Sequence, residues 1–300
     1  MRVAIVGLGL IGGSIARALR AVPDDAASAA GTPSVAAWSP RSDAPRRAQA
    51  DGVIDDAPPT LQATIGGADL VVLAPPPQAC LRLLDDLAGE LRGTLDPDAT
   101  LTDVASTKAA IVGRADALGL PFVGGHPMAG REQAGFEASL ADLFRDRPWV
   151  VVPGRHARPA DVARVEWLAR ACGARPLRLT GDEHDAAVAA ISHVPLVLSA
   201  ALAGGVAGRT RDDLGTEWRT ARGLAAGGWR DMTRLARGDA AMGAGIAATN
   251  RVPLARGLRL VRAEIEAWLA ELESGDDPEL VGRLERRLGD ARSRLDGPEA

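Results

Sequence analysis

The sequence predicts an α/β fold in two parts, a doubly wound parallel sheet over residues 1–180 followed by an all-α part over residues 181–300, and three observations predict it. Short apolar, β-branched runs alternate with helical patterns as far as Leu179. After Gly181 only long Ala/Leu-rich helical stretches remain. The chain also opens on a strand-like run, Arg2–Val6, followed by Gly7-x-Gly9-x-x-Gly12 and a helical pattern from Gly13 to Arg20.

That glycine spacing has a physical reason. The chain must turn sharply out of a buried strand, let a pyrophosphate approach bare backbone, and pack the next helix tightly on the sheet; each step excludes a β-carbon. Gly7, Gly9, Leu10, Ile11 and Gly12 are therefore candidate dinucleotide contacts, with the first N–H groups and the positive end of the helix dipole facing the phosphates. A Rossmann-like sheet is the expected setting.

The remaining elements follow in order. Val22 to Ser34 is polar and aperiodic, a surface loop. Val35–Trp38 is a second strand, at whose end an acid would select a free ribose 2′-hydroxyl. Ser39 and Arg41 stand there instead, a hydroxyl and a guanidinium that suit a 2′-phosphate, so NADP is favoured with NAD as the alternative. Arg46–Ala50 fits a short helix and Ile54-Asp55 an edge segment. Asp69–Pro75 is a buried strand stopped by Pro75-Pro76-Pro77, and Gln78 to Leu95 carries Leu81, Leu84, Leu87 and Leu91 at helical spacing. Thr100–Val104 and Pro121–Gly124 are further strands. Trp149–Val152 and Leu177–Leu179 close the sheet, with a helix from Ala160 to Ala171 between them.

Residues at the carboxyl ends of parallel strands face the ligand crevice. Ser106 and Lys108 follow one such strand, and Lys108 is the only lysine in an arginine-rich chain, which points to a place for a compact ammonium rather than a guanidinium fork. The alternative is a helix cap with Lys108 in solvent. His126 stands in Gly125-His126-Pro127-Met128-Ala129-Gly130, its backbone fixed and its imidazole free, as a general base is mounted. His184 and His193 lie on one helical stretch from Glu183 to about Leu202, nine residues apart, which at about 3.6 residues per turn is half a turn out of phase. Pro195 should loosen the helix beside His193, so His193 is the site candidate and His184 an N-terminal structural group. Arg234, near the Gly227-Gly228 break, is a natural clamp for a carboxylate, with a surface salt bridge as the alternative.

Composition narrows the partners. A net charge of −4 and a pI of about 5.7 leave no electrostatic footprint for nucleic acid or an anionic membrane. Cys80 and Cys172 sit in apolar or Ala-rich surroundings and are expected as buried free thiols in a reducing compartment. Metal-ligand spacing is not found, nor a leader or an apolar run of membrane-spanning length, so a cytoplasmic location is expected. The apolar stripe through Leu254, Leu258, Val261, Ile265, Trp268, Leu269 and Leu272, repeated by Leu280, Leu284 and Leu288, predicts burial against a second copy, a homodimer.

Five stretches together resemble the prephenate/arogenate dehydrogenases of tyrosine biosynthesis: Gly7 to Ser14, Asp103 to Lys108, Gly125 to Gly130, Glu183-His-Asp185 with Ser192-His-Val-Pro195, and Arg230 to Arg234 with Asn250. The resemblance covers about residues 1–270. It implies oxidative decarboxylation of prephenate with hydride transfer to NAD(P), or of arogenate to tyrosine directly. In that scheme His126 is the base on the ring hydroxyl and Ser106 its partner; His193 and Arg234 meet substrate carboxylates, and Lys108 shapes the crevice. Three positions depart from the family: Leu196 where a second histidine is frequent, Gly243 where an aromatic is, and Ser39 where an acid is. The chain leaves no room for a regulatory module, so feedback by tyrosine would act at the active site or the dimer interface. A β-hydroxyacid or imine reductase is disfavoured by the absence of a lysine in the helical part, and a non-catalytic dinucleotide sensor would need neither His126 nor His193 in their settings.

Overall fold

The computed structural model describes residues 1–21, 32–40, 43–208, 216–275 and 278–296, with the backbone alone for 216 and 217. Strand and helix alternate through β1 (Arg2–Val6), α1 (Leu10–Arg20), β2 (Ser34–Trp38), α2 (Asp43–Ala50), α3 (Leu61–Ile65), β3 (Leu70–Leu73), α4 (Pro77–Ala88), β4 (Thr100–Asp103), α5 (Ala109–Ala117), β5 (Phe122–Pro127), β6 (Pro148–Pro153), α6 (Pro159–Ala171) and β7 (Arg175–Arg178). Helices follow: α7 (Gly181–Val188), a π-turn over Ala189–His193, α8 (Val194–Ala207), α9 (Thr216–Leu224), α10 (Gly227–Thr233), α11 (Ala240–Thr249), α12 (Arg251–Leu272) and α13 (Leu280–Leu295).

The strands form one sheet in the order β2-β1-β3-β4-β5-β6-β7. Neighbours are parallel except β5 and β6, which run antiparallel with His126 opposite Val150. The reversal has a local cause: the chain from Pro127 to Pro148 carries only a 3-10 turn at Phe136–Ala138 and no helix to cross the sheet. From β1 the chain steps outward to β2 and then back to β3 on the other side, so the order reverses at β1. In such sheets the ligand crevice opens at the carboxyl ends of the strands beside that point. Gly7, Pro75, Ser106 and His126 all stand at that edge.

Both faces of the sheet are covered, as near-continuous apolar strands require. Val3 and Ile5 pack in one core with Ile15 and Leu19 of α1 and Val165 and Leu168 of α6. Ala4 and Val6 pack in the other with Leu84 and Leu87 of α4 and Ile111 and Ala115 of α5. Cys80 and Cys172 are buried free thiols.

Contacts divide the chain into two compact units, Met1–Arg251 and Val252–Ala300. Helices α7 to α11 fall in the first because α7 packs on α5 and α11 on α4, so the expected seam near residue 180 lies inside that unit. In the second unit the guanidinium of Arg287 lies over the Trp268 ring and pairs with Glu264 and Glu271. The continuous helix Gly181–Ala207 is long and apolar enough, by length and composition only, to cross a membrane. The expectation of no run of that length does not hold by this measure, since residues 186–207 contain no Asp, Glu, Lys or Arg. Three of the helix's side chains, His184, Asp185 and His193, are nevertheless buried in the protein.

Candidate active site

The glycine turn is built for two different demands. Gly7 has φ +99°, and a Cβ on it would stand 3.1 Å from the Ala74 carbonyl carbon and the Pro75 nitrogen. A Cβ on Gly12 would stand 2.1 Å from the Gly7 oxygen. Both glycines are thus required by the protein's own packing. Gly9 differs: its Cβ would meet nothing within 4 Å, so its bare backbone faces open space. Helix α1 has no side-chain cap and no acid in its first turn. Its first backbone bond runs from the Gly13 N–H to the Gly9 oxygen at 2.9 Å, which leaves the N–H groups of Leu10, Ile11 and Gly12 as donors for anionic oxygens. These residues fit a dinucleotide pyrophosphate. The Gly7 N–H donates to the Trp38 carbonyl at 2.8 Å, which brings the end of β2, and half-buried Ser39 after it, beside the turn. Arg41 lies outside the described residues.

On the same edge of the sheet three histidines and an acid are assembled. His126 is held at the end of β5, inside the strand rather than in a loop after it. Its Nδ1 lies 2.8 Å from Nε2 of His184, the rings edge to face with centroids 5.0 Å apart. The Nδ1 of His184 lies 2.7 Å from Oδ1 of Asp185. Asp185 is fixed in turn by the backbone N–H groups of Lys108 and Ala109, at 2.7 and 3.0 Å. A carboxylate only accepts, so the protons run one way: His184 donates from Nδ1 to Asp185, and His126 donates from Nδ1 to His184. Nε2 of His126 is left with its lone pair, as a base requires. Burial, then the neighbouring His184, Lys108 and His193, hold this imidazole well below the usual histidine range, so it is neutral at pH 7.

His193 is 1% exposed, and its Nδ1 accepts from the Asn250 amide at 2.9 Å; that amide also donates to the Asp185 carbonyl at 2.8 Å. The bond puts the ring proton on Nε2. This Nε2 and the Asn250 Oδ1 are buried polar atoms without a partner among the described residues. Burial, against the pull of Asp185, takes His193 down to about 4.

The structure places the remaining candidates unequally. Ser106 is half-buried at the end of β4, two residues from the Lys108 N–H that binds Asp185. Lys108 is neither a crevice-lining group nor solvated: its side chain is wholly buried and its ammonium pairs with Asp103. Arg234 pairs with Glu132 at 3.1 Å, both largely exposed, on the segment that follows His126. Leu196 and Gly243 face each other, a Cβ on the glycine lying 3.6 Å from the leucine Cδ2.

His184, expected as an N-terminal structural group, is instead the link between His126 and Asp185. Half a turn of phase would separate His184 from His193 on a regular helix, but the chain between them is not regular. Pro195 has no N–H, and its ring would crowd the Ile191 carbonyl in an α-turn. The Val194 N–H instead reaches back to Ala189, and the widened turn at Ala189–His193 changes the phase. The start of the helix was readable from Thr180-x-x-Glu183, a capping box whose two bonds measure 3.2 and 2.8 Å. Asp185 beside His184 was the overlooked signal.

A stability effect follows from His193. A histidine held neutral in the folded chain at a value of about 4, against 6.5 in the unfolded chain, costs nothing above pH 6.5. As the pH falls the unfolded chain takes up a proton that the folded one refuses, so stability declines from about pH 6.5 down to about pH 4 and then levels, by up to about 3 kcal/mol. Urea midpoints at pH 7 and pH 4.5 measure this, and in His193→Asn that part of the pH dependence should vanish.

Fold and site together define a protein with a nucleotide-binding sheet whose carboxyl edge is completed by a helical part. The chain belongs to the prephenate dehydrogenase family: the model of the prephenate dehydrogenase nucleotide-binding domain matches residues 31–177, and that of its dimerization domain residues 180–286. It is 31% identical over 253 residues to the prephenate dehydrogenase of Bacillus subtilis, a match covering 79% of this chain and 61% of that protein. It is 30% identical to the cyclohexadienyl dehydrogenase of Zymomonas mobilis over 79% of this chain and 76% of that one. The crystal structure of Synechocystis arogenate dehydrogenase superposes with a TM-score of 0.75 at 31% identity, covering 98% of this chain and 100% of that chain. The chain thus spans about three fifths of the Bacillus subtilis relative's length.

Proposed function

We propose that the chain catalyses the oxidative decarboxylation of prephenate to 4-hydroxyphenylpyruvate with NAD(P), a step of tyrosine biosynthesis, with arogenate as the alternative substrate. The observation that carries this reading is the Asp185–His184–His126 chain of hydrogen bonds ending on a free Nε2 at the same sheet edge as the Gly7–Gly12 turn. A bound nicotinamide supplies the acceptor for the hydride that leaves C4 of the ring. Nε2 of His126 takes the proton of the 4-hydroxyl, and the positive charge that forms on this imidazole passes through its Nδ1–H toward His184 and Asp185. The C1 carboxylate leaves as carbon dioxide, its bonding electrons completing the aromatic ring and ending on the C4 oxygen, to which the His126 imidazolium returns the proton, so alignment and movement of one proton are the main tasks of the protein. Ser106 is assigned to the ring hydroxyl. The buried Nε2–H of His193 and the exposed guanidinium of Arg234 are assigned to substrate carboxylates.

Ser39 favours NADP, since no acid stands at the end of β2 to bind a free 2′-hydroxyl. We assign residues 1–180 to cofactor binding and 181–300 to substrate binding and dimerisation. In the single chain Leu260, Ile265, Leu269, Leu272 and Leu288 are exposed, which supports a homodimer through this region. A cytoplasmic location accords with the two buried free thiols.

Incubating the protein with prephenate or arogenate and with NAD or NADP, while following reduced nicotinamide by absorbance, tests the assignment. Formation of reduced cofactor with neither substrate would remove it. Arg234→Gln is expected chiefly to raise KM for the substrate, by about tenfold for one lost charge-assisted contact. An unchanged KM would leave Arg234 as the partner of Glu132 alone.

A further inference from the structure

The scheme above makes no use of the Asp103–Lys108 pair, although both side chains are completely buried. Asp103 ends β4 and Lys108 precedes α5. Oδ2 of Asp103 accepts from the Lys108 ammonium and from the Ala105 N–H at 3.0 Å, and Oδ1 accepts from the Gly125 N–H at 3.2 Å. One carboxylate therefore grips the residue just before Ser106 and the residue just before His126. The lysine stem fills the hollow over Gly124, where a Cβ would stand 3.1 Å from its Cδ, and a Cβ on Gly125 would stand 2.6 Å from the Asp103 carbonyl oxygen. An ion pair taken wholly out of water is a poor source of stability. Of 35 lysines and arginines the only lysine is the one placed here.

We propose that Asp103 and Lys108 are positioning residues for the reaction: the pair locks the carboxyl ends of β4 and β5 together so that Ser106 and His126 face one mouth, and it sets its positive end beside the His126 ring. This rests on the assignment of His126 as the base. The groups that act on that ring are His184 from α7, His193 from the π-turn and Lys108 of the pair; Asp185 stands behind His184, and Cys80 from α4, which lies near the pair, is kept neutral, its thiol pushed up by burial. His184, Lys108 and His193 all oppose a second proton on the ring, after burial itself. Burial also pushes the Asp103 carboxyl up, against the pull of the ammonium and the two N–H groups.

The test is an NMR titration of the histidine rings without cofactor, in a chain that has four histidines, with the His126 signals identified by their loss in His126→Asn. The wild-type ring should titrate below 6.5, and a midpoint at or above 6.5 would overturn the proposal without any variant. Asp103→Asn/Lys108→Met removes both charges at nearly constant volume. In this variant the His126 midpoint should rise by about one pH unit, the acid limb of kcat/KM should follow it, and kcat should fall while KM for the dinucleotide holds. A folded double variant with an unmoved midpoint and wild-type kcat would leave the pair purely structural and sink the idea. If the double variant does not fold, Lys108→Arg keeps the charge with the wrong reach: a lower kcat at an unmoved midpoint supports positioning, and an unchanged kcat overturns it. A wild-type chain that oxidises neither substrate, yet titrates as described, would refute the reaction assigned above and not the role of the pair in placing the ring.

Discussion

Replacing His126 by asparagine is expected to cut turnover by a factor of about 10² to 10⁴, the contribution of one well-placed proton acceptor, while dinucleotide affinity stays nearly unchanged. Asparagine retains a donor to His184 and loses the basic lone pair. The variant separates holding the neighbourhood together from taking the proton. Near-normal turnover, measured as reduced nicotinamide formed per second at saturating substrate, would remove His126 from its role. Wild-type kcat/KM should be flat above pH 6.5 and fall only at lower pH, because burial first, and then the neighbouring His184, Lys108 and His193, hold the ring neutral.

The second large effect separates two glycines of the same turn. Gly12→Ala puts a Cβ 2.1 Å from the Gly7 carbonyl oxygen, backbone that cannot give way, so the turn or the start of α1 must shift. Overpacking of this kind costs about 1–3 kcal/mol, and it should appear both as a lower melting temperature and as a dinucleotide Kd weaker by about ten- to a hundredfold. Gly9→Ala meets nothing within 4 Å. It should melt like the wild type and lose affinity for the dinucleotide alone. Equal loss of stability in the two variants would show that the open face at Gly9 is not reserved for a ligand.

How far the sequence could be read depended on whether the signal was local. The β1 run and the glycine turn are legible because the strand, the positive φ and the tight helix packing are demands made within a dozen residues. The end of β5 was legible too, although His126 sits within the strand and not past it. The sheet's one reversal was not, since no residue type marks a missing crossover helix. The partner of Lys108 was hidden for another reason. Its uniqueness marks the position as special and Asp103 stands only five residues before it, but no residue type shows that the turn after β4 folds the ammonium back onto that buried carboxylate. The role of His184 was lost to an assumption about geometry: helical phase was carried across a stretch where Pro195 does not allow a regular helix.

The grip of Asp185 on the Lys108 and Ala109 amides has a bearing on motion. One side chain is at once the first anchor of α5 and the last link behind the His126 ring, so sheet and helix share a seam that cannot gape without undoing the relay. In deuterium exchange the amides of residues 108 and 109, both held by that one carboxylate, should therefore be among the slowest.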